Sequence, residues 1–447
     1  MSSTKKILVI GAGRSSSNLI QYLLQHASEE NWALRIGDMD VQHAKDKLAG
    51  FEAYGEAFEL NGASQEQRRS EIENADLVIS MLPAHMHMPV ALDCLEFGKH
   101  VITPSYIPDE MWALDEAAKA KGIVMLNEMG VDPGIDHMSA MEIIHRLKAE
   151  GAELESFESF TGGLVAPESD NNPWNYKITW NPRNVVLAGY GGTARYQEGG
   201  GMKYIPYQRL FKEITPVEIQ GFGQFDGYAN RDSLKYKKIY GLESIPTLYR
   251  GTLRRSGYCK AWDALITLGF TDDSFEVDNS QDMSWKELTQ SFLPSGGFGT
   301  TAQQLAKFCS DEEVFQKLIW LGLLSDDLLG VKKGSPALIL QKRLESKWIL
   351  GEEDKDMIVM WHRFRYRANG QRHEIKSSLI TLGDNQMYTA MSKTVGLPIA
   401  IAAKKILRGE LVLSGVTLPI SPEIYVPILE ELRTFGIEFS EHHSILS

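Results

Sequence analysis

Short apolar runs that alternate with amphipathic segments in the N-terminal third of the chain constrain its fold most strongly. The run at 6–10 is followed by a glycine-rich turn and then by Leu and Ile at helical spacing. Further apolar runs at 33–36, 76–81, 99–103 and 122–127 are separated by segments with helical patterning. Strands that are apolar throughout and joined by helices form parallel sheets covered on both faces. The pattern therefore predicts an α/β domain with a Rossmann-like doubly wound parallel sheet.

The glycine-rich turn at 11–16 has the position and composition of a dinucleotide-binding loop. It reads G-A-G-R-S-S and lies between a predicted strand and a predicted helix. Gly11 permits a tight turn, and Gly13 lets the backbone approach a pyrophosphate at the positive end of the helix. Ser16 replaces the third glycine and offers a hydroxyl donor to phosphate. Taken alone, the turn also fits an ordinary strand-to-helix connection.

Two carboxylates, Asp38 and Asp40, follow the second predicted strand. An acidic residue about twenty or more positions after the glycines holds the ribose hydroxyls of NAD and repels a 2′-phosphate. The sequence therefore favours NAD as the cofactor, while Arg14 and Arg35 nearby keep NADP as the alternative. The carboxylate that does not contact ribose is equally suited to capping the following helix.

A second domain is predicted after Gly134, because 447 residues suit two or three domains and aromatic and turn residues become frequent there. Its expected strands alternate as in a mixed or antiparallel sheet: 154–160, 217–221 and 358–366. We expect a dinucleotide-binding domain of residues 1–131 and about 388–447. The α+β substrate domain would then comprise residues 132–387, with a helical insertion at about 285–350.

Charge and cysteine content exclude several classes of protein. The net charge of -13 argues against nucleic acid or anionic lipid as a partner, so an anionic substrate needs a local basic pocket. The cysteines, Cys94, Cys259 and Cys309, have neither metal-site nor disulfide spacing, and we expect no metal. No signal segment or run of 18 apolar residues is present. We expect a cytoplasmic protein that acts on a small molecule without a membrane partner, with a homodimer as the default assembly.

Polar residues suited to a small-molecule site follow several predicted strands. The segments 80–83 and 103–106 end two strands at the edge where an open α/β sheet binds its ligand. The segment 127–137 joins a strand to a helix and carries Asp132, which as an alternative would cap that helix. Arginines in N-R-D-S and R-G-T-L-R-R stand out in an acidic chain. Arginine grips carboxylates at two points, although a solvated face balanced by acidic neighbours is the alternative.

At these residues the chain resembles the saccharopine dehydrogenases that form L-glutamate, also called saccharopine reductases. The matching stretches run in order over nearly the whole chain: D-L-V-I-S-M-L-P, H-V-I-T-P-S-Y, N-E-M-G-V-D-P-G-I-D-H, G-G-L-V-A-P-E-S, N-R-D-S, R-G-T-L-R and G-V-T-L-P-I. The resemblance implies a bilobal enzyme of lysine metabolism that oxidises saccharopine at its secondary amine with a nicotinamide cofactor. The imine is hydrolysed to L-glutamate and 2-aminoadipate 6-semialdehyde, or the reverse reductive condensation runs. Saccharopine carries three carboxylates, which makes the arginines intelligible as a substrate clamp.

The resemblance also implies individual site residues. Cofactor contacts fall on Gly11, Gly13, Ser16, Asp40, Ala44, Leu82, Pro104, Ser105 and Val131. Position in the turn or at a strand end adds Arg14, Ser15, Asp38 and Thr103. Substrate contacts fall on Ser105, Tyr106, Asp132, Arg231, Thr252, Leu253 and Arg254. We expect Asp132 to orient the amine or relay its proton and Tyr106 to donate a hydrogen bond near the reacting carbon, whereas His137 suits a structural role better than that of a base.

Three departures from the family pattern bear on these expectations. The acidic G-D-M-D stands where some NADP-dependent relatives have an arginine, so the NAD preference comes from this sequence. The family stretch S-Y-C-G-G reads S-F-T-G-G at 159–163, which argues against an essential thiol there. Pro104 replaces a small or hydroxylated residue at the expected nicotinamide rim.

Two other functions stay open at this point. One is a dehydrogenase of a different secondary amine, such as carboxynorspermidine or homospermidine, whose substrate would lack at least one carboxylate. The other is a non-catalytic dinucleotide-binding protein. Two engaged arginines favour the more anionic substrate, and the joint presence of the glycine turn, Asp132 and the arginines argues against the non-catalytic alternative.

Overall fold

The alternating apolar and amphipathic segments become strands and helices over residues 4–446, the part of the chain that this computed structural model describes. The strands are β1 (Lys5–Ile10), β2 (Trp32–Asp38), β3 (Gly55–Glu59), β4 (Leu77–Ser80), β5 (His100–Ile102), β6 (Val124–Leu126), β7 (Glu153–Val165), β8 (Ala194–Glu198), β9 (Gly201–Ile205), β10 (Ile214–Ile219), β11 (Gly223–Ala229), β12 (Thr247–Arg255), β13 (Asp356–Ala368), β14 (Gln371–Leu382), β15 (Gly415–Thr417) and β16 (Ser440–Leu446). The α-helices are α1 (Ser17–Glu30), α2 (Val41–Leu48), α3 (Gln65–Glu73), α4 (His87–Phe97), α5 (Asp115–Ala120), α6 (Ile135–Ala149), α7 (Pro182–Val186), α8 (Tyr236–Ile239), α9 (Tyr258–Leu268), α10 (Trp285–Phe292), α11 (Thr301–Cys309), α12 (Glu312–Leu321), α13 (Pro336–Lys347), α14 (Ala390–Leu407) and α15 (Pro422–Arg433).

The chain divides into two compact units. Unit 1 comprises the chain up to Glu153 together with Ala368–Gly370 and Leu379–His442, and unit 2 comprises the rest. The division after Glu153 places α6 in unit 1, although the expected boundary after residue 131 precedes this helix. The physical reason is packing: α6 lies against α15, where His145 Nδ1 is 2.9 Å from the hydroxyl oxygen of Tyr425.

Unit 1 is built on a seven-stranded sheet in the order β15-β6-β5-β4-β1-β2-β3. Every neighbouring pair is parallel. Side chains from Ile7 to Ile10 on the central strand β1 are at most 1% exposed, because both faces of the sheet are covered. The strand order reverses between β1 and β4, so ligands of such a sheet bind at the carboxyl ends of these strands. This is the doubly wound parallel sheet that the sequence predicts.

Two elements of unit 1 could not be predicted from the pattern of apolar residues in the sequence. The edge strand β3 reads G-E-A-F-E and contains no fully buried residue. The helix α3 buries only Arg68 and Ile72 among nine residues. Because apolar periodicity is the main signal of an element, a strand and a helix that face solvent on most sides carry too little of it.

The late helix of small residues, α14, packs against α1, the helix that follows the glycine turn. The buried backbone N–H of Asn18 donates to Ser392 Oγ at 2.9 Å. A Cβ added to Gly396 would lie 2.7 Å from the backbone nitrogen of Leu19. Glycine is therefore required here by the close approach of two helices rather than by backbone conformation.

Unit 2 contains a mixed sheet in the order β10-β11-β12-β7-β13-β14-β16, with β8 pairing with β12 and β9. β12 runs parallel to β7 and antiparallel to β11, as the expectation of a mixed sheet requires. The expected helical insertion forms as α10 to α13, and capping boxes begin α10 at Ser284 and α11 at Thr300. Among residues 4–446, no helix has the length and apolarity needed to cross a bilayer.

Gly396→Ala should lower the stability of the chain. The added methyl overlaps the backbone of Leu19, which costs about 1–3 kcal/mol, whereas the helix propensity of alanine returns about 1 kcal/mol. We expect a net loss of up to about 2 kcal/mol in the free energy of unfolding, measured by urea denaturation. Gln25→Ala, at an exposed position of α1, is the matched control and should change it by less than about 0.5 kcal/mol. An unchanged or higher stability of Gly396→Ala would contradict the close approach.

Candidate active site

The glycine turn lies where β1 ends, and its geometry requires glycine at its first position. Gly11 has a φ of 102°, and a Cβ there would lie 2.8 Å from the carbonyl oxygen of Met81. By contrast, a Cβ at Gly13 would meet nothing within 4 Å, so the backbone of Gly13 faces open space. A diphosphate can therefore approach Gly13 at the start of α1, and the turn fits the dinucleotide expected from the sequence.

Asp38, at the end of β2, is hydrogen-bonded to this turn. Its Oδ2 accepts a hydrogen bond from the backbone N–H of Ala12 at 2.6 Å, and its Oδ1 accepts one from Asp40 N at 2.9 Å. Asp40 is the N-cap of α2, since its Oδ1 accepts from Gln42 N at 3.0 Å. Both alternatives weighed for these carboxylates thus have a place: Asp40 caps the helix, and Asp38 lies at the glycine turn.

Lys47 on α2 is also hydrogen-bonded to the turn. The sequence alone does not single out this lysine. Its ammonium donates to the carbonyl oxygens of Ala12 and Gly13 and to Ser16 Oγ. Ser16 Oγ in turn donates to Gly13 O at 2.9 Å, so its proton is held within the turn rather than offered to a phosphate. Burial lowers the pKa of Lys47 to about 8. Nothing in the spacing of α2 marks this lysine, because its partners belong to another part of the chain.

The two arginines considered for a 2′-phosphate differ in their surroundings. Arg35 forms ion pairs with Glu56 and Glu71, and its guanidinium lies 4.4 Å from the ring centroid of Phe58. Arg14 lies in the turn itself and has an exposed side chain. Arg35 is therefore already paired with two carboxylates, whereas Arg14 is the arginine of the turn itself.

His87, at the start of α4, links two of the strand ends that the sequence assigns to the site. Its Nδ1 lies 2.9 Å from Ser80 Oγ, and its Nε2 lies 2.8 Å from Ser105 Oγ. Burial lowers the pKa of His87 to about 4, so the imidazole is neutral at physiological pH. A neutral imidazole can donate to one hydroxyl and accept from the other. The only signal in the sequence was a histidine just after a strand-end segment, and its role depends on a partner 18 positions away.

Tyr106 and Asp132 are brought together by the structure. The phenolic hydroxyl of Tyr106 donates to Asp132 Oδ1 at 2.7 Å. Tyr106 is 37% exposed and Asp132 is half-buried, so the pair is accessible from solvent. The other residues expected at this edge lie nearby in the chain, with Thr103 buried and Pro104 and Ser105 half-buried.

The substrate residues expected in unit 2 lie on and beside β12. Arg254 is 4% exposed, and its guanidinium carbon lies 5.1, 5.8 and 5.5 Å from the ring centroids of Tyr176, Tyr228 and Tyr258. Its Nη1 donates to Leu253 O at 2.8 Å, while its Nε is buried without a hydrogen-bond partner. Within residues 4–446, Arg254 forms no ion pair with a carboxylate.

The register of the sheet separates the two arginines of the expected clamp. Arg254 pairs with Asp226 in the middle of β11, whereas Arg231 lies two residues beyond the end of that strand. Five residues of extended chain span up to about 16 Å. This separation along the sheet leaves room for the two arginines to bind different carboxylates. Thr252 is half-buried on the same strand as Arg254, whereas Leu253 is fully buried and its carbonyl oxygen already accepts a hydrogen bond from Arg254.

Comparison with known families identifies the chain. The model of the Saccharopine dehydrogenase NADP binding domain matches residues 7–126, and that of the Saccharopine dehydrogenase C-terminal domain matches residues 130–437. The chain belongs to the saccharopine dehydrogenase family. The resemblance drawn from the sequence motifs is thereby confirmed, and with it an oxidoreductase family that binds a dinucleotide.

Individual relatives cover this chain in two ways. The mitochondrial alpha-aminoadipic semialdehyde synthase of Bos taurus is 35% identical over 100% of this chain but over 48% of its own length. The chain thus spans about half the length of the synthases it matches. The NADP(+), L-glutamate-forming saccharopine dehydrogenase of Pyricularia oryzae is 32% identical over 98% of this chain and 99% of its own.

A solved structure from the same family confirms the predicted fold. The apo saccharopine dehydrogenase (L-Glu forming) of Saccharomyces cerevisiae matches with a TM-score of 0.88 at 29% identity. The match covers 98% of this chain and 100% of the yeast chain. The parallel sheet and the second, mixed sheet are therefore features of the family.

The stability of the chain should fall in acid because of His87. The unfolded chain takes up a proton on this side chain below pH 6.5, whereas the folded chain does so only near pH 4. The contribution of His87 to the free energy of unfolding is therefore fully present above pH 6.5. This contribution is lost as the pH falls from 6.5 to 4, by up to about 3 kcal/mol. His87→Gln should remove this part of the pH dependence, measured as the free energy of unfolding in urea at a series of pH values.

The matched control for this measurement is His85→Gln, at an exposed neighbouring position. The control should keep most of the acid dependence of the unaltered chain, because burial lowers the pKa of His87 more than the charge of His85 does. The same acid dependence in His87→Gln as in the unaltered chain would show that His87 is not the group responsible.

Proposed function

We propose that this chain is a saccharopine dehydrogenase that forms L-glutamate and 2-aminoadipate 6-semialdehyde, or condenses them in reverse. The observation that carries the proposal is the hydrogen bond from Tyr106 to Asp132 at the edge where the sheet of unit 1 binds its ligand. The carboxylate of Asp132 attracts a secondary ammonium. The Tyr106 hydroxyl, which donates a hydrogen bond to this carboxylate, fixes the direction of the carboxylate's lone pairs. Relatives over nearly the whole chain are named for this reaction.

In this proposal, the protein's residues position the amine and manage its proton. A nicotinamide dinucleotide held through its diphosphate at the glycine turn would supply the hydride acceptor. Asp132 orients the secondary amine and receives its proton, while Tyr106 holds the carboxylate through its hydroxyl. The neutral His87 fixes the hydroxyl of Ser105, the residue that precedes Tyr106 in the chain. Most of the rate gain would come from positioning, since hydride transfer needs little covalent help from the protein.

The arginines of unit 2 support a substrate with several carboxylates. A buried guanidinium without an acidic partner is costly, and a carboxylate of the ligand would offset that cost at Arg254. Arg231 is exposed and lies beyond the end of β11, and we infer that it binds a different carboxylate. Saccharopine has carboxylates at both ends, whereas carboxynorspermidine and homospermidine lack this arrangement. A dehydrogenase of such an amine is therefore the weaker candidate.

For the cofactor, we propose NAD in preference to NADP. Asp38 and Asp40 place negative charge at the end of β2, and Arg35 is held by Glu56 and Glu71. A 2′-phosphate at this position would meet repulsion without a compensating arginine from that strand. The fungal relatives are named for NADP(+), which makes NADP the second candidate, with Arg14 as its nearest cation.

The direct test of function is reduction of NAD or NADP in the presence of saccharopine, followed by absorbance. We expect turnover with saccharopine and a higher kcat/KM with NAD than with NADP. Binding of a dinucleotide with no turnover of saccharopine would overturn the proposed function. Turnover with NADP alone would overturn the cofactor assignment and leave the substrate assignment intact.

Asp40→Arg should shift this preference towards NADP. The change replaces a repelling carboxylate with a guanidinium that can bind phosphate, and we expect the ratio of kcat/KM for NADP to that for NAD to rise about tenfold. Asp46→Arg makes the same change of charge at an exposed position of the same helix and should leave the ratio within about twofold. Equal effects of the two variants would show that only net charge matters.

Arg231→Ala and Arg254→Ala should each raise the KM for saccharopine by about 10-fold to 100-fold while the dissociation constant for the dinucleotide stays near its original value. The magnitude follows from losing a charge-assisted hydrogen bond worth about 1.5–3 kcal/mol. Because Arg254 is buried, Arg254→Lys is the second variant, which keeps the charge but loses two-point binding. Arg209→Ala, an exposed arginine of unit 2 paired with Glu213, is the control. An unchanged KM for saccharopine in both alanine variants would contradict the proposed binding of substrate carboxylates by these arginines.

A further inference from the structure

Three buried ionisable side chains of unit 1 form a group that contacts the backbone near Tyr106 and near Asp132. Glu128 and His137 are 0% exposed, and Asp136 is 1% exposed. Glu128 Oε2 lies 2.7 Å from His137 Nε2, and His137 Nδ1 lies 3.5 Å from Asp136 Oδ2. The three side chains therefore form one continuous buried network, which is called the Glu128 network below.

One end of the Glu128 network holds the backbone next to Tyr106. Glu128 Oε1 accepts a hydrogen bond from the backbone N–H of Ile107 at 2.9 Å. Ile107 directly follows Tyr106 in the chain and is 1% exposed. The position of the Tyr106 backbone is thus tied to a side chain that comes 21 residues later.

The other end holds the turn that carries Asp132. Asp136 Oδ1 accepts from the backbone N–H of Gly134 at 2.6 Å. This turn is closed by further backbone bonds, from Gly130 N to Pro133 O at 2.9 Å and from Ile135 N to Gly130 O at 3.0 Å. A Cβ on Gly134 would lie 2.0 Å from Gly130 O, so the turn has no room to relax at this point.

The backbone conformation at Glu128 shows that this arrangement is costly. Glu128 has a φ of 57°, in the left-handed region, which costs a residue other than glycine of order 1–3 kcal/mol. Burying two carboxylates and an imidazole adds a desolvation cost that apolar residues of the same size would avoid. Such costs persist where the surrounding structure needs the geometry they produce, and here that geometry joins two candidate catalytic side chains.

We propose that Glu128, His137 and Asp136 are positioning residues that hold Tyr106 and Asp132 at hydrogen-bonding distance. This role rests on the proposed function, because the pair matters only if it acts on the substrate. The described contacts of the network lie at Ile107 and in the 130–135 turn of unit 1, so we expect it to govern kcat and to leave dinucleotide affinity unchanged. A shift of about 1 Å in a catalytic group can cost about 100-fold in rate, which sets the size of the expected effect.

The first experiment is a double-mutant cycle between His137 and Tyr106. His137→Phe should lower kcat about 10-fold to 100-fold, with the KM for saccharopine and the dissociation constant for the dinucleotide within about threefold. In a Tyr106→Phe background, the same His137→Phe change should lower kcat by less than about threefold, because the pair is already broken. A loss of similar size in both backgrounds would overturn the positioning role, since general damage to the fold does not depend on Tyr106.

Two further variants keep the test informative if His137→Phe does not fold. Glu128→Gln retains an acceptor for Ile107 N, and His137→Gln retains a polar group opposite Glu128, so both should lose less activity than His137→Phe. The matched control is His145→Phe, on the same helix α6, where His145 Nδ1 faces the hydroxyl of Tyr425 at 2.9 Å. This control should leave kcat within about twofold. A kcat within about twofold in Glu128→Gln, His137→Gln and His137→Phe alike would overturn the proposal.

Amide hydrogen exchange separates failure of this proposal from failure of the proposed function, because it requires no substrate. The amides of Ile107 and Gly134 should exchange at least tenfold faster in His137→Gln than in the unaltered chain, while the amides of β1 keep their rates. If the unaltered chain does not turn over saccharopine but His137→Gln shows this exchange pattern, saccharopine is refuted as the substrate and the network is supported. Turnover of saccharopine with unchanged exchange at both amides would refute the network and support the function.

Discussion

The parallel pairing of β1 with both β2 and β4 is the constraint on which the candidate site depends. Its register places Ile10 beside Gly37 on one side and beside Ser80 on the other, so three strands end at one level. The glycine turn then lies so close to the end of β4 that a Cβ at Gly11 would be 2.8 Å from Met81 O. Asp38 reaches the same turn from β2. No side chain larger than hydrogen fits at Gly11, because the neighbouring strand occupies the space that a Cβ would need.

The sequence was sufficient where local patterning and tertiary structure agree. Buried parallel strands are apolar throughout, so β1, β4 and β6 could be predicted, and the turn residues that follow them were expected to lie at the ligand edge. The edge strand β3 could not, since it has no fully buried residue. Lys47 and His87 share a different reason: their partners are backbone carbonyls and hydroxyls that only the folded chain brings near. The spacing of apolar and polar residues in the sequence does not indicate such partners.

Arginine illustrates why residue type alone does not decide function in this chain. Arg35 and Arg254 are both in β-strands, but Arg35 is flanked by Glu56 and Glu71, whereas Arg254 is surrounded by the rings of Tyr176, Tyr228 and Tyr258. Burial raises the pKa of Tyr228 to about 12, so that ring stays neutral. A neutral aromatic shell stabilises a cation through its π faces without cancelling its charge. The charge of Arg254 thus stays available to an anionic ligand, while that of Arg35 is already matched.

The same reasoning bears on how a chain with a net charge of -13 would serve the proposed substrate, which has three carboxylates. Surface carboxylates are screened by salt over about 10 Å and act weakly on a buried site. A single guanidinium in surroundings of low dielectric constant acts strongly over a few ångströms. What matters for binding is therefore which cations lack an internal partner, not the overall balance of charge. In unit 2, burial and the absence of an ion pair within residues 4–446 distinguish Arg254 in this respect, and this property follows from its position in β12 among tyrosines distant in sequence.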